Sequence, residues 1–225
     1  MMICPETFYE ISLKGKTPEQ IMTVIRGLKQ EIGRLKNIVE HPNYELRSMV
    51  IHPTEKVQLS MNYEYLERAK QALVEAGGIY KPSVVEQKAL DFNKSIPYIN
   101  KIEFSIGGYF GGYETKTYTI DDDKIHVDVE HSLILKPSNI GDAEIEEIDK
   151  QEFLKAFKDL RIGEWRKKYD TYRFNIAVMD GTQWHLEIYF SNSHRPVKIY
   201  GDNAYPYNFD RLLELFEIEN EDTGE

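Results

Sequence analysis

The residues in this sequence that are best suited to metal binding or catalysis are two histidines and an aspartate. His126 and Asp128 are two positions apart, His185 follows later in the chain, and Arg195 comes after it. This order matches in outline a facial triad, in which two histidines and a carboxylate bind Fe(II) and a later basic residue holds a 2-oxo acid. One hypothesis is therefore a metal-dependent enzyme of the non-haem iron type that uses His126, Asp128 and His185.

The expected positions of these side chains argue against an iron site. His126 and Asp128 lie opposite Val127 on a predicted strand, so they face the polar side, whereas enzymes of that type hold their ligands inside a barrel. His185 lies opposite Trp184 in the same way. A predicted helix between the two strands also interrupts the continuous β-structure that such a barrel needs. We therefore expect no cofactor.

Other groupings typical of catalytic or metal sites are weak. His126, Asp128 and Glu130 share one strand face, which favours a solvated surface over a metal site. Gly107 to Gly112 lies between two predicted strands, whereas a phosphate-binding loop requires a helix directly after the glycines. Cys4 is the only cysteine, so an internal disulfide and a multi-cysteine metal site are excluded. We expect a reducing, cytoplasmic location.

The chain is acidic, and this limits the partners that it can bind. Its 225 residues include 28 Lys and Arg against 38 Asp and Glu, a net charge of −10. Binding to a phosphate backbone requires a positive face, so direct nucleic-acid binding is disfavoured. Apolar runs fall far short of the ~20 residues that span a bilayer, and the first residues do not resemble a secretory signal. The acidic surface permits binding to a basic groove of another protein, although an acidic run is more simply explained as a solvated face.

Aromatic residues in two predicted loops suggest a binding surface. The sequence has 15 tyrosines, and their amphipathic rings suit recognition sites. For any one of them, half-burial in a sheet is the simpler explanation. The candidate binding residues are Trp165, Asn203, Tyr205, Tyr207, Tyr109 and Tyr113.

Hydrophobic spacing and capping signals predict a helix-rich N-terminal half. Thr17-Pro18-Glu19-Gln20 has a hydroxyl cap, a proline at the first helical position and a glutamine that completes a capping box. A short strand is predicted before it, over Phe8 to Leu13, and another over Tyr44 to Ile51. The predicted helices cover about 18–39, 61–76 and 84–94, the second capped by Ser60 or Asn62.

From Ile99 onward the hydrophobic period changes to two, which predicts strands. A three-stranded β-meander is expected over about 99–135. Further on, strands at 174–178 and 184–190 are predicted to form a hairpin at Asp180-Gly181, a dipeptide that favours a type I′ turn. A third strand at 197–200 and a last helix capped by Asn208 complete the expected module from Tyr172 to Glu217.

Two segments resemble a pattern in uncharacterised cytoplasmic proteins of Firmicutes. They are Asp180-Gly181-Thr182-Gln183-Trp184 and the stretch from Tyr200 through Asn203-Ala204-Tyr205-Pro206 to Phe209, with Trp165 upstream. The opening, from Phe8-Tyr9-Glu10 to Glu40-His41-Pro42, is similar to such proteins as well. This resemblance implies no activity, because none is assigned to them.

Together these patterns predict an α+β protein with a helix-rich N-terminal half and antiparallel β-meanders in the middle and in the C-terminal third. The expected regions are 1–136, an acidic connector at 137–149, a C-terminal module at 150–219 and an acidic tail at 220–225. The expected function is a non-catalytic intracellular interaction or regulatory protein with a protein partner. One form of it is an inhibitor or immunity-type protein that acts on a basic partner. The oligomeric state stays open.

Overall fold

The computed structural model describes residues 3–45, 52–108, 111–121, 124–132, 149–178 and 181–218. In these residues the chain has six α-helices and one six-stranded mixed sheet, with helices in the N-terminal half and strands after it, so the predicted α+β class is confirmed. The chain divides into two compact units, Met1–Pro82 and Ser83–Glu225. None of the helices described here is long and apolar enough to cross a membrane.

The first unit is helical. Its helices are α1 (Pro5–Ser12), α2 (Pro18–Val39) and α3 (Glu55–Glu75). The predicted capping box of α2 is present, because the Gln20 N–H donates to Thr17 Oγ1 and the Thr17 N–H donates to Gln20 Oε1 at 3.0 Å. Helix α3 begins earlier than predicted, because Thr54 Oγ1 accepts from the Val57 N–H and caps it.

The predicted strand from Phe8 to Leu13 is wrong, because helix α1 extends to Ser12 and Leu13 is its C-cap residue. The Cys4 sulfur accepts from the Thr7 N–H, and the proline that follows Cys4 occupies the first helical position. The Phe8 ring then stacks on Tyr65 of α3, with the ring centroids 4.4 Å apart. Of the strand predicted at 44–51, residues 46–51 lie outside the described residues, and the two before them are helical.

The second unit contains the sheet. Strands β1, β2 and β3 (Ile99–Gly108, Gly112–Ile120 and Ile125–Ser132) form the predicted meander. Strands β4, β5 and β6 (Lys168–Asp170, Gln183–Phe190 and Val197–Asp202) complete the order β3-β2-β1-β5-β6-β4. All neighbouring strands are antiparallel except β4 and β6. The connector predicted at 137–149 falls within this unit, and residues 133–148 lie outside the described residues.

Three helices of this unit pack against one face of the sheet. They are α4 (Val84–Ser95), α5 (Lys150–Asp159) and α6 (Phe209–Leu215). Their aromatic side chains join the strand residues in one hydrophobic core, which includes Phe157 of α5 and Phe104 of β1, both fully buried. The side chains that point to the helices are even-numbered on β1, β2 and β5, as the alternation of Trp184, Leu186 and Ile188 predicts.

The strand predicted at 174–178 is absent, and with it the expected hairpin to β5. Strand β5 is paired on both sides, by β1 and by β6, so no edge is open to a further strand. Instead Asp170 Oδ1 accepts from the Arg173 N–H at 3.2 Å and opens a 3₁₀ turn over Thr171–Phe174. Asn175, with φ of 57°, ends that turn. Asp180 lies outside the described residues.

The Trp184 indole joins strand β5 to the segment that follows β6. It is fully buried, and its Nε1–H donates to the Ala204 carbonyl at 3.0 Å. Gly201 lies so close to the ring that a Cβ there would come within 2.1 Å of Trp184 Nε1. The absence of a side chain at Gly201 therefore allows the indole to occupy this position.

Asn208 has a different role from the predicted one. It makes no side-chain capping bond to α6. Its buried side chain accepts from the Trp165 Nε1–H at 3.1 Å and donates to the Leu160 carbonyl at 2.8 Å. Asn208 thus connects the start of α6 to the chain directly after α5.

Replacement of Gly201 by alanine is expected to destabilise the second unit by about 1–3 kcal/mol, because the new Cβ collides with the Trp184 indole. Urea unfolding followed by tryptophan fluorescence reports on this unit, since both tryptophans of the protein lie in it. The matched control is Gly111→Ala, where a Cβ meets nothing within 4 Å. Equal stability of the two variants would contradict the packing described.

Asn208→Ala is expected to lower the free energy of unfolding by about 3 kcal/mol, because it leaves two buried hydrogen-bonding groups without a partner. Asn208→Ser separates this role from capping, since serine is a good N-cap residue but cannot reach both partners. We expect the serine variant to be almost as unstable as the alanine variant in the same unfolding measurement. Wild-type stability of the serine variant would point to capping instead.

Candidate functional site

The face of the sheet opposite helices α4, α5 and α6 carries polar side chains. We call it the open face. It consists of the odd-numbered residues of β1, β2 and β5 and the even-numbered residues of β3, β4 and β6. Most of these side chains are half-buried or exposed, and the helices described in this unit all pack on the other face.

Carboxylates outnumber lysines on the open face by six to three. Each lysine forms a salt bridge with a carboxylate of the same face, at 2.6–3.0 Å. On β3, Asp128 and Glu130 have no salt bridge to a lysine or arginine within the described residues. The open face therefore keeps a net negative charge. Its charged residues are Lys101, Lys168, Lys198, Glu103, Asp128, Glu130, Asp170, Glu187 and Asp202.

The middle of the open face is an ordered cluster around Tyr189. The Tyr189 hydroxyl donates to Glu187 Oε2, and Lys198 Nζ donates to the same oxygen at 2.6 Å. Lys101 Nζ and Lys198 Nζ lie 5.6 and 5.9 Å from the centroid of the Tyr189 ring. Glu103, which binds Lys101 at 2.8 Å, lies directly opposite Glu187 on the neighbouring strand.

These contacts shift the pKa values of four groups of the cluster. The hydrogen bond to Glu187 raises the pKa of Tyr189. Hydrogen bonds to carboxylates raise the pKa of Lys101 and of Lys198. Burial raises the pKa of Glu187, but the hydrogen bonds from Lys198 and Tyr189 outweigh it, so the net shift lowers that pKa. Every shift is away from neutrality.

His185 extends the cluster along β5. It lies opposite Ser105 of β1 and Tyr200 of β6, with the two ring centroids of His185 and Tyr200 6.2 Å apart. Burial lowers the pKa of His185, since the charged form loses hydration, and the nearby Glu187 carboxylate offsets this only in part. The imidazole is therefore neutral at pH values near 7.

The predicted iron ligands are not brought together. His126 and Asp128 lie on β3 and His185 on β5, with β2 and β1 between them. Three interstrand spacings amount to about 14 Å, far beyond the reach of one metal ion. His126 Nε2 instead lies 3.6 Å from Asp121 Oδ2. Among the described residues there is no group of three or more His, Cys, Asp or Glu that could hold a metal.

Three of the predicted binding residues, Trp165, Tyr205 and Tyr207, lie in the hydrophobic core or against it, and Asn203 makes polar contacts instead. Trp165 is buried and bonded to Asn208, as described above. Asn203 has φ of 51° and accepts from the Thr182 N–H at 2.9 Å, which fixes the start of β5. Tyr205 and Tyr207 are half-buried against the core.

Tyr113 is the one predicted binding residue on the open face. Its hydroxyl donates to Gln183 Oε1 at 3.2 Å. Tyr109 lies outside the described residues. The residues of the Tyr189 cluster were not among the predicted site residues. Polar alternation along β1 and β5 marks each of them in the sequence, but only the strand order makes them neighbours.

Comparison with known proteins identifies no relative of this chain. No protein-family model matches the chain. No curated protein and no solved structure matches it either. The similarity to uncharacterised Firmicutes proteins therefore stays a prediction.

Proposed function

We propose that this chain is a non-catalytic, cytoplasmic binding protein whose open face receives a protein partner rich in lysine or arginine. An inhibitor or immunity-type protein that covers a basic groove is one form of this function. The observation that carries the proposal is the surplus of carboxylates over lysines on an ordered sheet face.

The protonation states of the cluster favour recognition over proton transfer. A general acid or base works best when its pKa lies near the working pH. The pKa values of Glu187, Tyr189 and Lys198 move away from that range. A constant charge pattern is what electrostatic recognition of a partner requires.

The sign of the charge selects the kind of partner. Phosphate backbones are repelled by a surface on which carboxylates predominate, so direct nucleic-acid binding is disfavoured. Lysine and arginine side chains are attracted to it. The tyrosines of the same face, Tyr113, Tyr189 and Tyr200, add the amphipathic contact area common at protein interfaces.

An oligolysine peptide should bind this face in a salt-dependent manner, because salt screens attraction between exposed charges. In an NMR titration, we expect the largest shift changes at open-face residues of β1, β2 and β5, and loss of binding from about 0.05 M to about 0.5 M NaCl. Glu187→Gln should weaken binding several-fold, whereas Glu214→Gln on the exposed surface of α6 should not. Shift changes confined to other surfaces would contradict the proposal.

The neutral state of His185 leads to a second prediction. Because the folded-state pKa is lowered, the unfolded chain takes up a proton more readily as pH falls through the ordinary histidine value of about 6.5. Stability is therefore complete above that value and declines below it. Urea unfolding at about pH 7.5 and about pH 5.5 should show a smaller decline for His185→Gln than for the wild type. An equal decline in both proteins would mean that His185 titrates normally.

A further inference from the structure

We infer that strand β6 of the open face holds an arginine side chain of the basic partner, whose guanidinium stacks on the ring of Tyr200 and pairs with the carboxylate of Asp202. This inference rests on the proposed function for the charge of the partner. It adds the kind of cation that the open face prefers and the two residues that select it.

Tyr200 is the tyrosine of the open face with room for a new contact. Its side chain is 44% exposed, and its ring has one aromatic neighbour, His185. Within the described part of the chain its hydroxyl forms no hydrogen bond and no cation lies over its ring. The other two tyrosines are engaged, because the Tyr113 hydroxyl is bonded to Gln183 and the Tyr189 hydroxyl to a carboxylate.

The Tyr189 ring shows which ligand such a ring attracts on this face. Lys101 Nζ and Lys198 Nζ lie 5.6 and 5.9 Å from its centroid, distances at which a cation is drawn to the negative face of an aromatic ring. Tyr200 presents the same ring on the neighbouring strand, β6, with no cation of the chain over it. A cation of the partner is therefore the group that completes this contact.

Asp202 supplies the opposite charge. It follows Tyr200 by two positions on β6, so both side chains point to the open face and lie roughly 7 Å apart along the strand. Asp202 is exposed, and its Oδ1 accepts from the Asn203 side chain at 2.7 Å. That donor is neutral, and Asp202 forms no salt bridge among the described residues. A guanidinium over the Tyr200 ring can therefore direct its N–H groups at a carboxylate that still carries its full charge.

The two lysines next to Tyr200 on the open face are already bound to carboxylates. Lys168 lies opposite Tyr200 on β4, and its Nζ is 3.0 Å from Asp170 Oδ2. Lys198 precedes Tyr200 by two positions, and its Nζ is 2.6 Å from Glu187 Oε2. Each of these positive charges is offset within the face, so the remaining carboxylate on β6 leaves this region attractive to a further cation.

Arginine suits the pair of Tyr200 and Asp202 better than lysine does. A guanidinium is planar and weakly hydrated, so it stacks on a ring while its edge donates N–H groups to a carboxylate. An ammonium is a compact, strongly hydrated charge without a flat face. A second copy of this chain is a poor source of the arginine, because each copy carries a net charge of −10. Charge complementarity thus favours an arginine from a basic protein.

The test compares two pentapeptides with blocked ends, one of lysine alone and one with arginine in place of the central lysine. Both carry the same charge, so a difference in affinity measures the effect of the guanidinium. In calorimetric titrations at about 0.05 M NaCl, we expect the arginine peptide to bind about three- to fivefold more tightly. We also expect nuclear Overhauser effects between the arginine side chain and the Tyr200 ring.

Variants of the two residues assign the preference. Tyr200→Leu should abolish it, so that both peptides bind equally, whereas Tyr200→Phe keeps the ring and should retain it. Asp202→Asn should reduce it, since the charge is lost while an acceptor oxygen remains. The controls are Tyr98→Leu in the 3₁₀ turn before β1 and Glu214→Gln on α6, both at exposed positions outside the open face. They should retain the full preference, and circular dichroism verifies that all variants are folded.

The outcomes separate this inference from the proposed function. If the two peptides bind the wild type equally, the arginine site is overturned and binding to the open face stands. If neither peptide binds, both proposals are overturned. If Tyr200→Leu keeps the preference, or Tyr98→Leu loses it as well, the assignment to Tyr200 fails.

Sedimentation of the protein alone tests the remaining occupant. We expect a monomer under the conditions of the titration. A dimer that Tyr200→Leu dissociates would mean that the arginine comes from a second copy of the chain, which would overturn the assignment to another protein.

Discussion

The packing of one indole ring is the constraint on which the second unit depends. Trp184 is fully buried, and its ring centroid lies 4.8 Å from that of Phe209 in α6 and 5.7 Å from that of Tyr169 in β4. Its N–H is bonded to the segment after β6, and Gly201 leaves the space for it. The Trp184 side chain thereby connects strands β4, β5 and β6 with helix α6.

One-sided coverage of the sheet follows from that arrangement. All core-facing side chains of β5 point to the side of Trp184, and helices α4, α5 and α6 cover that side. The other side is left to residues that form hydrogen bonds and salt bridges with one another, such as Glu187 with Lys198. The same alternation that builds the core thus creates the surface on which the functional proposal depends.

Most elements with local signals were predicted correctly from the sequence, and several failures lie where tertiary contacts decide. The strand predicted over Phe8 to Leu13 is an exception, because the cap that opens α1 there is local. The capping box of α2 and the alternation in β1 to β3 were sufficient for correct predictions. The apolar alternation at 174–178 predicted a strand that would pair with β5. That strand does not form, because β5 is already paired with β1 and β6. Asn208 occupies the typical N-cap position yet bonds to Trp165, a partner distant in sequence. The polar side chains of the open face were recognisable singly, whereas their grouping around Tyr189 depends on strand order.

The ladder between β1 and β5 has a consequence for how the chain folds. It pairs Phe104 with Leu186, so the centre of the sheet joins residues that are far apart in sequence. Closing so long a loop costs chain entropy before the contacts compensate for it, and topologies of this kind fold slowly. During synthesis the meander of β1 to β3 emerges before β5. At that stage β1 is paired with β2 but not yet with β5. Until residues 183–190 leave the ribosome, β1 is itself an exposed edge, and a nascent chain halted before that point would be prone to aggregate.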